Sequence, residues 1–260
     1  MKTITSADNP RFRALLKLAQ SARERRTAGM SLLDGIHLVS AYVEHIGAPA
    51  EIVLSRSGAE NAEVMQLLSS LHAGTPLLLA DALFRELSSV TTPTGIIAVV
   101  PTPRLPVPER LTGASVWLED IQDPGNLGSI LRTAAAAAIP TVCLSAHSVH
   151  AWSPRVLRAG MGAHFAVRII EGADLRQLAR GYSGRIVATA AGRGVPVFDA
   201  RLAGEVALLF GNEGAGLSAE VAALAHETVH IPLPGKAESL NVGAAAAVCL
   251  FERVRQMRNQ

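Results

Sequence analysis

Short apolar runs alternate with segments of helical periodicity along the whole chain. In the first hundred residues this pattern predicts strands at Met30–Leu33, Glu51–Leu54, Thr75–Leu79 and Gly95–Val100, and helices at Ile36–Ile46, Ala62–Leu71 and Asp81–Leu87. Regular alternation of strands and helices is typical of an α/β fold. The first part of the chain is therefore expected to form a smaller N-terminal α/β domain.

The second half repeats the alternation, and its strands are apolar without interruption. They are predicted at Ser115–Glu119, Thr141–Leu144, Val167–Ile170, Arg185–Thr189, Val206–Phe210 and Thr228–Ile231. The helices are predicted at 127–138, 154–160, 174–182, 219–225 and 242–257. Strands that lack polar alternation predict a parallel sheet covered by helices on both faces.

A proline-rich segment separates the two halves. Four of the eight residues from Pro101 to Pro108 are prolines, which neither a helix nor a central strand accommodates. This segment predicts a stiff linker. We therefore expect an N-terminal domain over 1–100, a linker over 101–110 and a C-terminal domain over 111–260.

Composition excludes several classes of protein. A chain of 260 residues with 49% hydrophobic and 18% charged residues is not intrinsically disordered. No apolar run approaches the roughly 18 residues of a membrane helix, and the first residues lack the apolar region of a signal peptide. Only Cys143 and Cys249 are present, which argues against a disulfide framework or a zinc site and predicts a cytoplasmic protein.

Other single residues carry little functional signal. Trp117 and Trp152 are expected in the core, and no metal site is expected. Five histidines lack metal-ligand spacing and are interpreted as solvent-exposed or as core residues with satisfied hydrogen bonds: His147, His150, His164, His226 and His230. The formal net charge of +2 neither requires nor excludes a nucleic-acid partner.

The segment before Gly29 is predicted to be one basic helix. Asp8 or Asn9 can cap it and Pro10 suits its first position. The basic residues either form a solvated face or contact phosphates of a nucleic acid. They are Arg11, Arg13, Lys17, Arg23, Arg25 and Arg26.

Three polar clusters in the second half lie where strands or loops end, the usual place of ligands in α/β sheets. The first, Glu119–Arg132, ends with an arginine in an otherwise small, apolar helix, where it is expected to need an anionic partner. The second, Leu209–Leu217, holds three glycines that permit close backbone approach, but its GxxGxG order and lack of lysine argue against a nucleotide phosphate loop. The third is Ile231–Gly243. Each cluster alone is also compatible with an ordinary turn or helix cap.

Together the three clusters resemble the motifs of the SpoU/TrmH branch of the SPOUT RNA methyltransferases. The matching residues are Asn126, Gly128 and Arg132, then Gly211 to Gly214, and then Ser239 to Val242. The first half is similar to the ribosomal-protein-like substrate-binding domain of many members. That similarity rests on Asn9-Pro10, Gly35–Val39 and Val90–Ile96.

Four positions depart from the family pattern. Members often have serine at position 243 and before the Met161-Gly162 pair, an acidic residue near position 150, and glutamate at position 34. At these positions this chain has Gly243, Gly160, His150 and Asp34. None of the four departures removes a core motif residue.

The resemblance implies an S-adenosylmethionine-dependent RNA 2′-O-ribose methyltransferase whose C-terminal domain is a SPOUT fold with a deep trefoil knot. It also implies a homodimer with the active site at the interface. The N-terminal RNA-binding domain favours ribosomal RNA as the substrate, with a tRNA 2′-O-methyltransferase as the alternative. An antibiotic-resistance rRNA methyltransferase is a narrower alternative. The cofactor would be held, largely by backbone groups, at Thr189, Ala190, Ala191, Leu209, Gly211, Asn212, Gly214, Ile231, Leu233, Ser239 and Leu240.

The resemblance assigns chemistry to Asn126, Arg132, Glu213, Ser239 and Asn241. Since a guanidinium is effectively always protonated, we expect Arg132 to clamp the target phosphate and stabilise the developing 2′-oxyanion. Asn126 and Glu213 are expected to orient Arg132 and the RNA backbone, and Ser239 and Asn241 to fix the ribose or the loop. Arg155 and Arg158 are further candidates for phosphate contacts near the active face.

Two other classes of function fit the sequence less well. A non-catalytic RNA-binding protein that retains the knot would not need the five polar residues just named. A nicotinamide-dependent oxidoreductase would need a GxGxxG turn, and the nearest match, at Gly160-Met161-Gly162, has Phe165 in the last glycine position. The small residues Gly243–Ala247 of the last helix can pack either on a second subunit or on the helix's own sheet.

Overall fold

The computed structural model describes residues 3–71 and 74–258, and its chain divides into two units. The first unit takes in the chain up to Pro103 together with Trp152–Phe165, and the second takes in Arg104–Ala151 and everything from Ala166 onward. The division after Pro103 falls within the proline-rich segment. The sequence predicted one continuous C-terminal domain over 111–260, but residues Trp152–Phe165 belong to the first unit.

The first unit contains a mixed five-stranded sheet. Its strands are β1 (Thr3–Ile4), β2 (Met30–Asp34), β3 (Glu51–Ser55), β4 (Leu77–Leu79) and β5 (Ile96–Pro101), in the order β1-β4-β3-β5-β2. Only β5 runs antiparallel to its neighbours. The helices before the linker are α1 (Pro10–Gln20), α2 (Ala22–Ala28), α3 (Ile36–His45), α4 (Ala62–Ser70) and α5 (Asp81–Leu87).

The second unit contains seven strands that pair in parallel throughout, as predicted. They are β6 (Ser115–Leu118), β7 (Thr141–Leu144), β8 (Arg168–Ile170), β9 (Arg185–Thr189), β10 (Val195–Pro196), β11 (Val206–Phe210) and β12 (Glu227–His230), in the order β10-β12-β9-β11-β6-β7-β8. The remaining helices of the chain are α6 (Pro124–Ala136), α7 (Pro154–Gly160), α8 (Leu175–Arg180), α9 (Ala219–Ala222) and α10 (Val242–Arg258). No helix in the described residues is both long and apolar enough to cross a membrane.

Helix α7 belongs to the first unit because it packs on β2. Ser31 on β2 donates a hydrogen bond to the Trp152 carbonyl over 3.4 Å. The rings of Phe165 and of Tyr42 on α3 pack in a T-shaped arrangement at a centroid distance of 5.5 Å. Trp152 is buried, as predicted for a core residue, and so is Trp117.

The predicted basic helix is in fact two helices. Asn9 caps α1, but Ser21 is extended and its hydroxyl caps α2 by accepting the Glu24 N–H over 3.2 Å. Serine favours such a break because its hydroxyl bonds to nearby backbone groups. The expectation that Arg25 faces outward is wrong: Arg25 is only 4% exposed and donates to the Leu18 and Ala19 carbonyls at the end of α1.

Two helices of the second unit bring polar residues to the carboxyl edge of its sheet. Helix α6 starts at Pro124, earlier than predicted, because Asp123 caps it by accepting the Asn126 N–H over 2.8 Å. The Asn241 side chain accepts the Gly243 N–H over 2.9 Å and so caps the start of α10. Helices α6 and α10 pack on each other and bury Gly243 and Ala246 within the chain's own fold.

Candidate active site

A cavity of about 620 Å³ opens at the carboxyl ends of β9, β11 and β12. These strands are neighbours in the sheet, so the loops that follow them meet at one place. The cavity is lined by residues 188–193, by residues 210–217 and by residues after β12 that continue to α10. Among the described residues, no group of three or more His, Cys, Asp or Glu side chains could hold a metal ion.

Nearly all residues predicted to hold the cofactor line this cavity. They are Thr189, Ala190, Ala191, Gly211, Asn212, Gly214, Ile231, Leu233, Ser239 and Leu240. Leu209 does not line it, because its side chain is fully buried in β11. Its carbonyl accepts a hydrogen bond from the Thr189 hydroxyl over 2.8 Å, which ties the ends of β9 and β11 together beside the cavity.

The glycine loop after β11 is shaped by Asn212. Its backbone exchanges two hydrogen bonds with Gly216, of 3.0 and 2.9 Å, and its side-chain oxygen accepts the N–H groups of Gly214 and Ala215, both at 3.0 Å. A Cβ atom on Gly211 would lie 2.2 Å from the Gly216 carbonyl carbon. Only glycine fits at position 211, because the loop folds back directly over it.

Glu213 joins the glycine loop to the start of α6. Its carboxylate accepts the Gln122 N–H over 3.2 Å, the Asp123 N–H over 3.1 Å and the Asn126 side-chain amide over 3.0 Å. Burial alone would raise the pKa of Glu213, but these hydrogen bonds favour the charged form and the net effect is a lowered pKa. Glu213 is therefore a carboxylate at neutral pH.

This network makes the stability of the protein depend on pH in a definite direction. Because the pKa of Glu213 in the folded chain lies below its usual value of 4.5, its hydrogen bonds stabilise the fold above that pH and are lost as the pH falls through the lowered value. Wild type should therefore be more stable than Glu213→Gln near neutral pH, by less than about 1 kcal/mol because the side chain is exposed. Urea unfolding at a series of pH values measures the difference, which should shrink in acid. A constant difference across pH, or one equal to that of the exposed Glu86→Gln on α5, would contradict it.

Asn126 and Asn241 connect two of the three predicted clusters. The Asn241 side-chain amide donates to the Asn126 side-chain oxygen over 2.8 Å, and the Asn126 amide donates to Glu213. The three side chains thus form a continuous chain of hydrogen bonds from the glycine loop to the cap of α10. Ser239 is exposed and lines the cavity, whereas Asn126 and Asn241 do not line it.

Arg132 lies on the exposed side of α6 and has no hydrogen bond or ion pair in the described part of the chain. No acidic side chain of the described residues is the anionic partner expected for Arg132, so its pairing with the anion of a ligand stays a prediction. The expected contacts of Arg132 with Glu213 and Asn126 are also not formed. Glu213 instead accepts hydrogen bonds from Gln122, Asp123 and Asn126, and Asn126 accepts one from Asn241. The guanidinium is thus available to a ligand.

The predicted phosphate-contacting residues differ in their surroundings. Arg11 pairs with Glu51 and Arg13 with Asp8, which offsets part of the charge of α1. Arg25 caps α1 and is not available. Arg155 and Arg158 are exposed, but on α7, which is part of the first unit rather than of the sheet that carries the cavity. The other exposed candidates are Lys17, Arg23 and Arg26.

Three residues around the cavity have a place in the site to which the sequence assigned no role. Arg193 lines it and is exposed in a turn between Gly192 and Gly194, both of which have positive φ angles. The Glu119 carboxylate binds the backbone and hydroxyl of Ser218 where the glycine loop ends. The glycine pair around Arg193 is a visible signal of a turn, whereas the Glu119–Ser218 contact joins residues far apart in sequence and leaves no local signal.

Family models match both halves of the chain. The model of the SpoU rRNA Methylase family matches residues 113–251, which include the cavity and the network of Asn126, Glu213 and Asn241. The model of the MRM3-like substrate binding domain matches residues 9–98, in the first unit.

Characterised relatives match almost the full length of the chain. The 23S rRNA (guanosine(2553)-2′-O)-methyltransferase RlmP of Bacillus subtilis (strain 168) is 31% identical over 259 residues, covering 96% of this chain and 98% of the relative. The 23S rRNA (uridine(2479)-2′-O)-methyltransferase of Streptomyces viridochromogenes is 32% identical and covers 98% of this chain and 92% of the relative.

A solved structure extends the likeness to three dimensions. The AdoMet-bound rRNA methyltransferase from Sinorhizobium meliloti superimposes with a TM-score of 0.83 at 27% identity, covering 98% of each chain. These matches confirm the resemblance inferred from the three motifs. The sequence motifs, the parallel sheet and the matched relatives together establish that this chain belongs to the SpoU rRNA methylase family.

Proposed function

We propose that this protein is an S-adenosylmethionine-dependent 2′-O-ribose methyltransferase that acts on ribosomal RNA. The observation that carries the proposal is the cavity at the ends of β9, β11 and β12, together with the hydrogen-bonded chain of Glu213, Asn126 and Asn241, of which Glu213 lines the cavity. A ligand-sized cavity beside an ordered polar network is the arrangement that a methyl donor and a positioned hydroxyl require.

The cavity residues fit S-adenosylmethionine. A volume of about 620 Å³ lies in the usual range of small-molecule sites. The walls combine small and aliphatic side chains such as Ala190, Ile231 and Leu233 with loop backbone, which can bond an adenine edge and a ribose. The charged groups Arg193, Glu213 and Glu238 suit a ligand that carries a carboxylate, an ammonium and a sulfonium. When bound, S-adenosylmethionine supplies an electrophilic methyl group.

In this proposal the chain's own residues position the RNA. Asn126 and Glu213 fix the start of α6 relative to the glycine loop, and Asn241 fixes the start of α10 relative to both. Arg132 carries a charge with no partner in the described chain, so it can bind the phosphate of the target nucleotide and stabilise negative charge on the 2′-oxygen. Placing the two reactants in line is a large part of the rate enhancement.

Ribosomal RNA is preferred over tRNA because the chain carries the MRM3-like substrate binding domain and aligns over at least 96% of its length with two methyltransferases named for 23S rRNA. An RNA-binding protein without activity is the alternative. It would have no reason to keep the three-residue network beside a ligand-sized cavity. A cytoplasmic location follows from the proposed substrate and is part of the same proposal.

A homodimer and a trefoil knot also belong to the proposal. Helix α10 leaves Phe251 51% exposed and Met257 42% exposed, apolar area that a second subunit could cover. A sedimentation mass of one chain at micromolar concentration would contradict the dimer. The knot is supported by membership in the family, and an experimental structure with the C-terminal segment outside the loop it should thread would contradict it.

The proposal predicts a specific loss of methylation in cells. Deleting the gene should remove a ribose 2′-O-methyl group from ribosomal RNA, because the modification has no other source if this enzyme makes it. Mapping of 2′-O-methyl sites in total RNA, with and without the gene, measures this. Re-expression of wild type should restore the site, and re-expression of Arg132→Ala should not. An unchanged map of ribosomal RNA would refute the substrate, and loss of a tRNA site would favour the tRNA alternative.

A further inference from the structure

The loop that follows β6 forms hydrogen bonds to both ends of the glycine loop that follows β11. At one end, the Glu119 carboxylate accepts the Ser218 N–H over 2.8 Å and the Ser218 hydroxyl over 2.6 Å. At the other, the Asp120 carbonyl accepts the Asn212 side-chain amide over 2.8 Å. Strands β6 and β11 are adjacent and parallel, with Leu118 opposite Phe210, so the two loops leave the sheet side by side.

Each of these two contacts involves a residue that also hydrogen-bonds to another part of the cavity wall. The Ser218 hydroxyl that donates to Glu119 also accepts the Val221 N–H over 3.2 Å and so caps α9, whose Ala222 lines the cavity. The Asn212 amide that donates to Asp120 shares its side chain with the oxygen that shapes the glycine loop. Both ends of the loop are thus fixed by residues outside the motif that forms it.

Asp120 adopts a backbone conformation that carries a cost. Its φ angle is 53°, in the left-handed region that non-glycine residues rarely occupy. Ser145, after β7, holds it there: the Asp120 N–H donates to the Ser145 oxygen over 2.9 Å, and the Ser145 hydroxyl donates to the Asp120 carboxylate. This turn directs the Asp120 carbonyl to Asn212. Unfavourable backbone conformations that neighbours enforce are concentrated at functional sites.

We propose that Glu119 is a positioning residue for the cofactor, holding the glycine loop through Ser218 in its binding shape before the ligand arrives. The inference rests on the proposed function. Glycine residues give the loop conformational freedom that must be lost on binding, and Gly214, Ala215 and Gly216 are all exposed. Fixing the loop beforehand removes that entropic cost from the binding step. Glu119 does so from outside the cavity, since it does not line it.

The test compares binding of S-adenosylmethionine to wild type, Glu119→Ala, Glu119→Gln and Ser218→Ala by calorimetry. Loss of a charge-assisted contact should raise the Kd about tenfold in Glu119→Ala. Glu119→Gln should stay within about threefold of wild type, because its amide oxygen still accepts the Ser218 N–H. Ser218→Ala keeps the backbone contact and should fall between the two, which preserves the test if Glu119→Ala folds poorly.

The matched control is Ser183→Ala. Ser183 and Glu205 form the same kind of exposed serine–glutamate hydrogen bond, of 3.0 Å, at the opposite edge of the same sheet. Removal of this hydrogen bond should leave the Kd for S-adenosylmethionine unchanged. The urea midpoints of Ser183→Ala and Glu119→Ala should be similar. The inference is overturned if Glu119→Ala binds as wild type does, if Glu119→Gln is as weak as Glu119→Ala, or if Ser183→Ala loses as much affinity. Failure of wild type itself to bind the cofactor would instead overturn the proposed function.

Discussion

Replacing Gly211 by alanine is expected to weaken binding of S-adenosylmethionine by at least about a hundredfold. The new Cβ would lie 2.2 Å from the Gly216 carbonyl carbon and 2.3 Å from the Leu217 nitrogen. Both are backbone atoms of the loop that lines the cavity, so they can move away only if the loop opens. Opening the loop also breaks the two backbone hydrogen bonds between Asn212 and Gly216. It changes the position of Glu213, which lies between these two residues in the loop. Calorimetric titration of the purified variant with the cofactor measures the effect.

Gly235→Ala is the control for this substitution. Gly235 lies in the segment before α10, where an added Cβ atom would meet no other atom within 4 Å, and it does not have a positive φ angle. The variant should bind the cofactor as wild type does. If Gly211→Ala binds equally well, the loop is pliable and its observed shape is not what makes the site. Thermal unfolding separates loss of the site from loss of the fold.

The second unit was predicted well from sequence because its strands are buried on both faces. Such strands appear as uninterrupted apolar runs, and Val206–Phe210 and Thr141–Leu144 have the predicted bounds. Helix ends were less predictable, since several residues can cap the same helix. At α6, Asp123 provides the cap, and the helix starts at Pro124 rather than at the predicted residue 127.

Features without an apolar pattern were missed. Strands β1 and β10 contain two residues each and exist only through backbone pairing at the sheet edge. Burial of Arg25 depends on the break at Ser21, which turns α2 so that its guanidinium reaches the end of α1. The docking of α7 in the first unit depends on long-range packing of Trp152 and Phe165. None of these has a periodic signal in the sequence.

The candidate site was partly predictable for a physical reason. Parallel strands place their carboxyl ends at one edge, so polar residues after β9, β11 and β12 had to lie near one another. The resemblance to a known family indicated which of these polar residues act together. The partners of each side chain were not predictable: Glu213 was expected to contact Arg132, but it bonds to Asn126 and to two backbone N–H groups at the start of α6.

Arg132→Ala should lower kcat about 10²- to 10³-fold, the usual cost of removing one group that stabilises developing negative charge. Because Arg132 is exposed and unpaired within the described chain, its loss should leave both the unfolding midpoint and the Kd for S-adenosylmethionine unchanged. Arg132→Lys should recover little activity if the guanidinium binds the phosphate through two parallel hydrogen bonds, since lysine acts as a point charge. Methyl transfer to ribosomal RNA from the deletion strain, followed under single-turnover conditions with saturating cofactor, measures the chemical step.

Arg180→Ala provides the matched comparison, because Arg180 is also exposed, on α8, and does not line the cavity. It removes the same charge from the same unit and should leave kcat within about twofold of wild type, as surface substitutions usually do. Full activity of Arg132→Lys would eliminate the two-bond clamp and leave a purely electrostatic role. Full activity of Arg132→Ala would eliminate any role in transfer, and with it the reason for an arginine without a partner among the described residues on the exposed side of α6. A fall in cofactor affinity with kcat preserved would move Arg132 from the RNA side of the site to the cofactor side.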